Sequence, residues 1–217
     1  LRDDAEPGSR TVWGRRTALA LVTVLIMSGP SIPATQSRST SNIEVYLVVD
    51  RTGSMAAEDW AGGPDNGGGT RLDGVRQDLG AIRDAFPAAR FSIIALDSAA
   101  ARELPLTTDI DAVTSWIASL QQEPTTRSNG SSLERALPQL SQDLRSSSEN
   151  SPEAARLVYI LSDGEATDNG SGASDAAAAG LSWSELGSMV DGGAVLGYGT
   201  PEGGRMREFE VGRTPDP

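Results

Sequence analysis

No cysteine, histidine or lysine occurs among the 217 residues of this chain, so all 18 of its basic residues are arginine. Without cysteine there is no thiol nucleophile, no disulfide and no thiolate metal site. Without histidine there is no imidazole base, which excludes a Ser-His-Asp triad. Without lysine there is neither a Schiff base nor the phosphate-gripping lysine of a P-loop. A metal held here must be held by oxygen, which favours Mg²⁺, Ca²⁺ or Mn²⁺. Positive charge is scarce as well: 30 acidic residues leave a net charge of −12. Such a body repels phosphate backbones, so nucleic acid is not an expected partner.

Long apolar runs are equally rare. The only one is Thr17–Ala34, whose uninterrupted part, Ala18–Met27, follows Arg15 and Arg16. Eighteen helical residues would span about 27 Å, barely a hydrocarbon core. The segment fits a transmembrane anchor, a signal-peptide core or a buried helix. As an anchor it puts the preceding arginines in the cytoplasm and the body outside, giving a single-pass cell-membrane protein. Cleavage would instead give a secreted one. The expected layout is a disordered cytoplasmic tail at 1–16, the anchor or signal at 17–34, a polar tether at 35–41, one folded domain at 42–200 and a disordered or truncated tail at 201–217.

Within the domain, periodicity alternates between buried strands and amphipathic helices. Ile43–Asp50, Phe91–Leu96, Arg156–Ser162 and Ala194–Leu196 read as strands, and Ala101–Leu106 as a short edge strand demoted by Pro105. Arg71–Phe86, Asp109–Leu120 and Ser132–Leu144 carry apolar residues three and four apart, and Leu181–Val190 reads as a short helix. Ala166–Gly180, rich in Gly, Ser and Ala, reads as a loop, as does Ala56–Thr70. The predicted class is α/β, with a mainly parallel sheet covered by helices on both faces.

In such sheets ligands bind beyond the carboxyl ends of the strands. There the sequence places oxygen donors: Asp50, Thr52 and Ser54 at alternate positions after the first strand, Ser131 before a helix, and Asp163 after the third main strand. Three hydroxyls and two carboxylates can surround one hard cation and leave it incompletely neutralised, open to a carboxylate from outside. Ser132 reads as a helix N-cap or first-turn residue, and Glu58, Glu165 and Asp168 as solvated loop charges. Trp60, in a polar loop, is the exposed aromatic best suited to a partner surface, and Trp116 is assigned to the core.

The stretch VVDRTGSM resembles the D-x-S/T-G-S-M signature of von Willebrand factor A domains. GSSLERAL is similar to that family's second loop, with Ser131 and Leu137 at the matching positions, and ILSDGE to its third element. The apolar segment before the first strand further resembles bacterial membrane-anchored members of the Bat type. The resemblance implies a metal-ion-dependent adhesion site and a protein-binding module rather than an enzyme. Thr52, Ser54 and Ser131 would touch Mg²⁺ directly, and Asp50 and Asp163 would act through waters or by orienting the hydroxyls. A protein partner would supply an Asp or Glu. Three departures stand out. Arg51 lies inside the first motif, where it should point away from the donors. Ser131 replaces the more usual Thr. The family's usual further helix, and often another strand, has no counterpart after Gly199, which suits a trimmed domain or a fragment, and the initial Leu suits a fragment or an alternative start codon.

Two other readings stay open. One is a metal-free scaffold of the same fold. The other is a haloacid-dehalogenase-like phosphotransferase with Asp50 as nucleophile. That family wants a second acid where Thr52 stands, a later Lys or Arg, and an acid pair where Asp163-Gly164 stands.

Overall fold

The computed structural model describes residues 7–27, 42–62, 68–124 and 130–206. It divides into two units, residues 1–40 and 41–217.

In the first unit a helix, α1, runs over Pro7–Met27. The expected boundary at 16/17 is therefore crossed, and residues 7–16 continue the helix rather than forming a disordered tail. Proline is well tolerated at a helix start, where its missing N–H would be unpaired anyway. No described helix is long and apolar enough to cross a membrane. The expected tail at 1–6, the end of the apolar segment at 28–34 and the tether at 35–41 lie outside the described residues.

The second unit is built on β1, Ile43–Asp50. Five strands lie in the order β3-β2-β1-β4-β5, with β2 at Arg90–Leu96, β3 at Ala100–Thr107, β4 at Ala155–Ser162 and β5 at Gly192–Gly197. The β1/β2, β1/β4 and β4/β5 pairs are parallel, and only β3 runs antiparallel, at one edge. Pro105 is accommodated in β3 because an edge strand has one side without ladder partners.

Being central, β1 is buried on both faces. Val45, Leu47 and Val49 pack with Leu72, Val75, Leu79 and Ile82 of α2 (Arg71–Ala85) and with Val113 and Ile117 of α3 (Ile110–Ser119). Tyr46 and Val48 pack on the opposite face with Leu137, Leu140 and Leu144 of α4 (Leu137–Asn150). Each such apolar side chain contributes about 1.5–3 kcal/mol on burial. Thr70 starts α2 with a capping box: its hydroxyl accepts from the Asp73 N–H while the Asp73 carboxylate accepts from the Thr70 N–H.

Three expectations are corrected. The third helix was expected at Ser132–Leu144. Leu133–Ala136 instead forms a 3-10 turn, and α4 starts at Leu137 and continues to Asn150. Pro138 has no N–H to donate back to residue 134, so a regular helix cannot run through it from Ser132. The expected loop at 166–180 contains α5, Ser171–Ala178, which lacks an apolar stripe but is rich in alanine, the strongest helix former. The expected tail from 201 is placed as far as Arg205, whose carbonyl accepts from the Glu58 N–H at 2.8 Å. A short helix, α6 at Trp183–Gly187, completes the set.

Candidate functional site

The carboxyl end of β1 opens into a 3-10 turn at Gly53–Ala56. Asp50 is 1 % exposed. Its Oδ1 accepts from the Thr52 N–H at 2.9 Å and from the Thr52 hydroxyl at 2.7 Å. Its Oδ2 accepts from the Ser162 hydroxyl at 2.6 Å. Burial pushes the Asp50 carboxyl above its ordinary pKa, against the hydrogen bonds from Ser162 and Thr52, and the nearby Asp163 adds to the rise. Among the described residues no cation pairs with Asp50.

The Thr52 and Ser54 hydroxyl oxygens lie 3.2 Å apart. Two oxygens at right angles on one Mg²⁺, each about 2.1 Å away, would be about 3 Å apart. Because the Thr52 proton is spent on Asp50, its oxygen has only lone pairs to offer to Ser54 or to a cation. Ser131 behaves alike: its hydroxyl donates to the Glu165 carbonyl at 2.6 Å. The donor set therefore suits a hard cation, in a place where a buried carboxylate lacks positive charge. Among the described residues no group of three or more carboxylates gathers to hold a metal.

The five expected residues are not gathered equally. Asp50, Thr52 and Ser54 form one hydrogen-bonded cluster. Ser131 is tied to the third loop instead: its N–H donates to the Thr167 hydroxyl at 2.9 Å and its carbonyl accepts from the Thr167 N–H at 2.9 Å. Asp163 is taken up by Arg71, whose Nη1 lies 2.6 Å from its Oδ2. Arg51 points away, as expected, and is neutralised by Asp97 at 2.8 Å and Glu103 at 2.7 Å. Trp116 packs partly buried against the core, its indole N–H donating to Glu103.

Other readings of these loops change. Trp60 is half-buried rather than an exposed aromatic. It bridges to Gly69, and a Cβ on Gly74 would sit 2.8 Å from its Nε1. It closes the first loop onto α2. Asp168 is 7 % exposed, not solvated; it accepts from the N–H groups of Gly170 and Gly172 and holds the start of α5. Those backbone bonds lower its pKa. Ser132 occupies the N-cap position of the 3-10 turn, but its hydroxyl donates to Glu134 instead of capping.

Sequence reasoning missed Ser162, Arg71 and Asp59. Ser162 stands beside Asp163 in ILSDGE, but only the β1/β4 register, with Val49 opposite Leu161, sets it next to Asp50. Arg71 gave no signal. A cation at a helix N-terminus opposes the helix dipole, and three carboxylates compensate it. Asp59 takes its Nε and Nη2 in a fork, both at 2.9 Å, while Asp163 and, at 3.5 Å, Glu165 take Nη1. This pairing raises the Arg71 pKa further and holds Asp59 well below the usual carboxylate range, at about 2. Asp59 therefore stabilises the fold fully above the unfolded carboxylate pKa of about 4, and the contribution fades as pH falls from there toward 2. Asp59→Asn is expected to flatten the plot of urea midpoint against pH over that window. An unaltered acid limb would refute the assignment.

Comparison with known proteins gives the same outline. The profile of the von Willebrand factor type A domain matches residues 45–165. The conserved hypothetical protein BatB from Bacteroides thetaiotaomicron superposes with a TM-score of 0.58 at 22% identity, covering 80% of this chain and 75% of that one. An aerotolerance-related membrane protein from Bacteroides fragilis NCTC 9343, carrying multiple mutations to serine, superposes with a TM-score of 0.51 at 18% identity, covering 81% and 76%. At these identities the likeness is one of fold. No curated protein matches the chain.

Proposed function

Because the chain belongs to the von Willebrand factor type A domain family, we propose that its body is a protein-binding module whose loops at the carboxyl end of the sheet hold a divalent cation. The observation that carries this reading is Asp50: a buried carboxylate with no cationic partner among the described residues, beside two hydroxyls spaced as neighbouring ligands. Thr52, Ser54 and Ser131 would hold Mg²⁺ (or Ca²⁺ or Mn²⁺) by the lone pairs of their hydroxyl oxygens. Asp50 and Asp163 would orient those hydroxyls and bound waters. The cation would supply a positive point to which an Asp or Glu of a protein partner can bind.

Binding is favoured over phosphotransfer because both Asp50 oxygens are engaged by hydrogen bonds and the side chain is sealed from solvent. Thr52 stands where such an enzyme needs a second acid, and Asp163 is followed by Gly164 rather than by another acid. Arg71 opposes the cation through its hold on Asp163, so the expected affinity is modest.

Calorimetric titration of the full chain with Mg²⁺ tests the reading. Binding is expected, with a melting temperature that rises with Mg²⁺ concentration, and both effects should vanish in Ser54→Ala/Asp163→Ala. No heat in the unsubstituted chain, or unchanged binding in the double variant, would leave the metal-free scaffold.

We also infer that the N-terminal segment directs the body out of the cytoplasm, either as a membrane attachment or as a cleaved signal. Arg15 and Arg16 before the apolar run support that orientation, and the exposed Trp13, Leu19, Leu21 and Val22 of α1 suit lipid contact. Protease added to intact cells should digest a membrane-attached body, and a cleaved one should be found in the medium. A body protected inside the cytoplasm would overturn the inference.

A further inference from the structure

The two edges of the sheet meet solvent differently. An edge strand offers unpaired N–H and C=O groups to any other strand, and proteins blunt such edges with charge, proline or bulges. β3 has all three: Arg102 and Glu103, Pro105, and register shifts against β2. β5 has none of them. Its sequence is GGAVLG, and its register with β4 runs unbroken from Leu157/Gly192 to Ser162/Gly197. It ends the sheet, so its outer side has no ladder partner among the described residues.

The side chains along this edge are exposed and apolar. Val195 lies opposite Ile160 and Gly193 opposite Val158, which places both on the face of the sheet that carries α4 and α6. Val195 is 71% exposed, beside a groove of about 350 Å³ between β5 and α6 that Trp183, Leu186 and Val190 help to line. No charged side chain lines that groove. Gly193 has φ +140°, and a Cβ there would lie 1.8 Å from the Val158 carbonyl oxygen, so only glycine fits. The row of side chains on this face of β5 therefore has a fixed gap two residues before a projecting valine.

We propose that β5 pairs antiparallel with β5 of a second copy of the chain, about a two-fold axis at Ala194, joining two five-stranded sheets into one. A two-fold at Ala194 sets residue 195 of each copy opposite residue 193 of the other, on the same face. Each Val195 then fills the gap at the other copy's Gly193 and covers the groove beside it. The knob and the gap lie on one strand, so a second copy matches both at once. Charge favours the same occupant. The chain carries a net −12, so two copies repel wherever charged surfaces meet. Neither β5 nor the groove carries a charge. A six-residue strand is about 20 Å long. Such a contact falls at the small end of specific interfaces, below about 1,200 Å² in total, and the expected dimer is weak, with a Kd of roughly 10–100 μM. None of its residues belongs to the five oxygen donors, so the proposal stands apart from the metal reading.

Sedimentation equilibrium of the full chain tests it, in a non-ionic detergent that covers the apolar residues of α1. A monomer–dimer equilibrium is expected. Val195→Lys, at an exposed position that leaves the fold alone, should weaken it by at least about tenfold, because it sets a charge in the apolar contact of each copy. The seating is read by disulfide formation in a chain that otherwise has no cysteine. Directly opposed residues of an antiparallel pair have Cα atoms about 4.5–5.5 Å apart, within disulfide range. Ala194→Cys should therefore link two copies under mild oxidation faster than Val195→Cys, whose sulfurs sit diagonally. Association unchanged by Val195→Lys would place the contact elsewhere, as on α1, and overturn the proposal. So would a link that forms no faster at 194 than at 195. A chain monomeric up to about 1 mM would overturn it too, leaving the edge to a foreign strand or to residues 207–217 of the same chain.

Discussion

Arg71→Met is expected to lower the unfolding free energy by about 3–5 kcal/mol, the range for removing one partner of a buried ion pair. Arg71 is 5 % exposed, and the side chains of Asp59 and Asp163 that it neutralises are 3% and 2% exposed. Methionine fills much of the volume but leaves both carboxylates charged and dry. Urea unfolding at neutral pH measures the loss. Arg71→Met/Asp59→Asn should recover part of it, because a neutral pair of similar shape leaves only Asp163 uncompensated. A single variant within about 1 kcal/mol of the unsubstituted chain would mean that the pair is solvated like a surface salt bridge. The same replacement removes a fixed positive charge from Asp163, so Mg²⁺ should bind the variant more tightly. Stability and metal affinity are thus expected to move in opposite directions at one residue.

The second large effect is expected at Gly130, immediately before Ser131. Its φ is +80°, a left-handed conformation, and a Cβ there would meet the Thr167 carbonyl oxygen at 2.5 Å and the Asp168 Cα at 2.8 Å. These are backbone atoms that cannot swing aside. Gly130→Ala therefore combines unfavourable backbone geometry, about 1–3 kcal/mol, with overpacking of similar size. The relief open to the protein is to part the second loop from the third, breaking the two 2.9 Å hydrogen bonds that join the Ser131 and Thr167 backbones to each other's loop. A lower melting temperature and the loss of Mg²⁺ binding are expected together. Retained Mg²⁺ binding at unchanged affinity would mean that Ser131 is dispensable and that the cation rests on Asp50, Thr52 and Ser54.

Arg71 and Gly130 were not singled out by the periodic patterns that located the strands and helices. Periodicity reports which face of an element is apolar, and it placed β1, α2, α3 and β4 to within a residue or two because tertiary packing reinforces those faces. It misread the stretch at 166–180, where α5 is held by alanine propensity and by Asp168 rather than by an apolar stripe. It ended α4 at Leu144 because the rest of that helix turns serines into a polar cavity.

The sequence by itself determined two things about this protein. The absence of Cys, His and Lys confines its chemistry to oxygen donors and arginine. The adjacency of Asp50, Thr52 and Ser54 in a tight turn forces them into one cluster, because a few bonds of backbone leave them nowhere else to go. Tertiary structure decided the rest. Whether Asp50 meets Ser162 depends on strand register, and whether Asp163 meets Arg71 depends on loops that bring together residues 92 apart in the chain. Ser131 faces Glu165 and Thr167 because Gly130 lets two backbones touch. These pairings are set by geometry between distant elements, which local spacing does not encode.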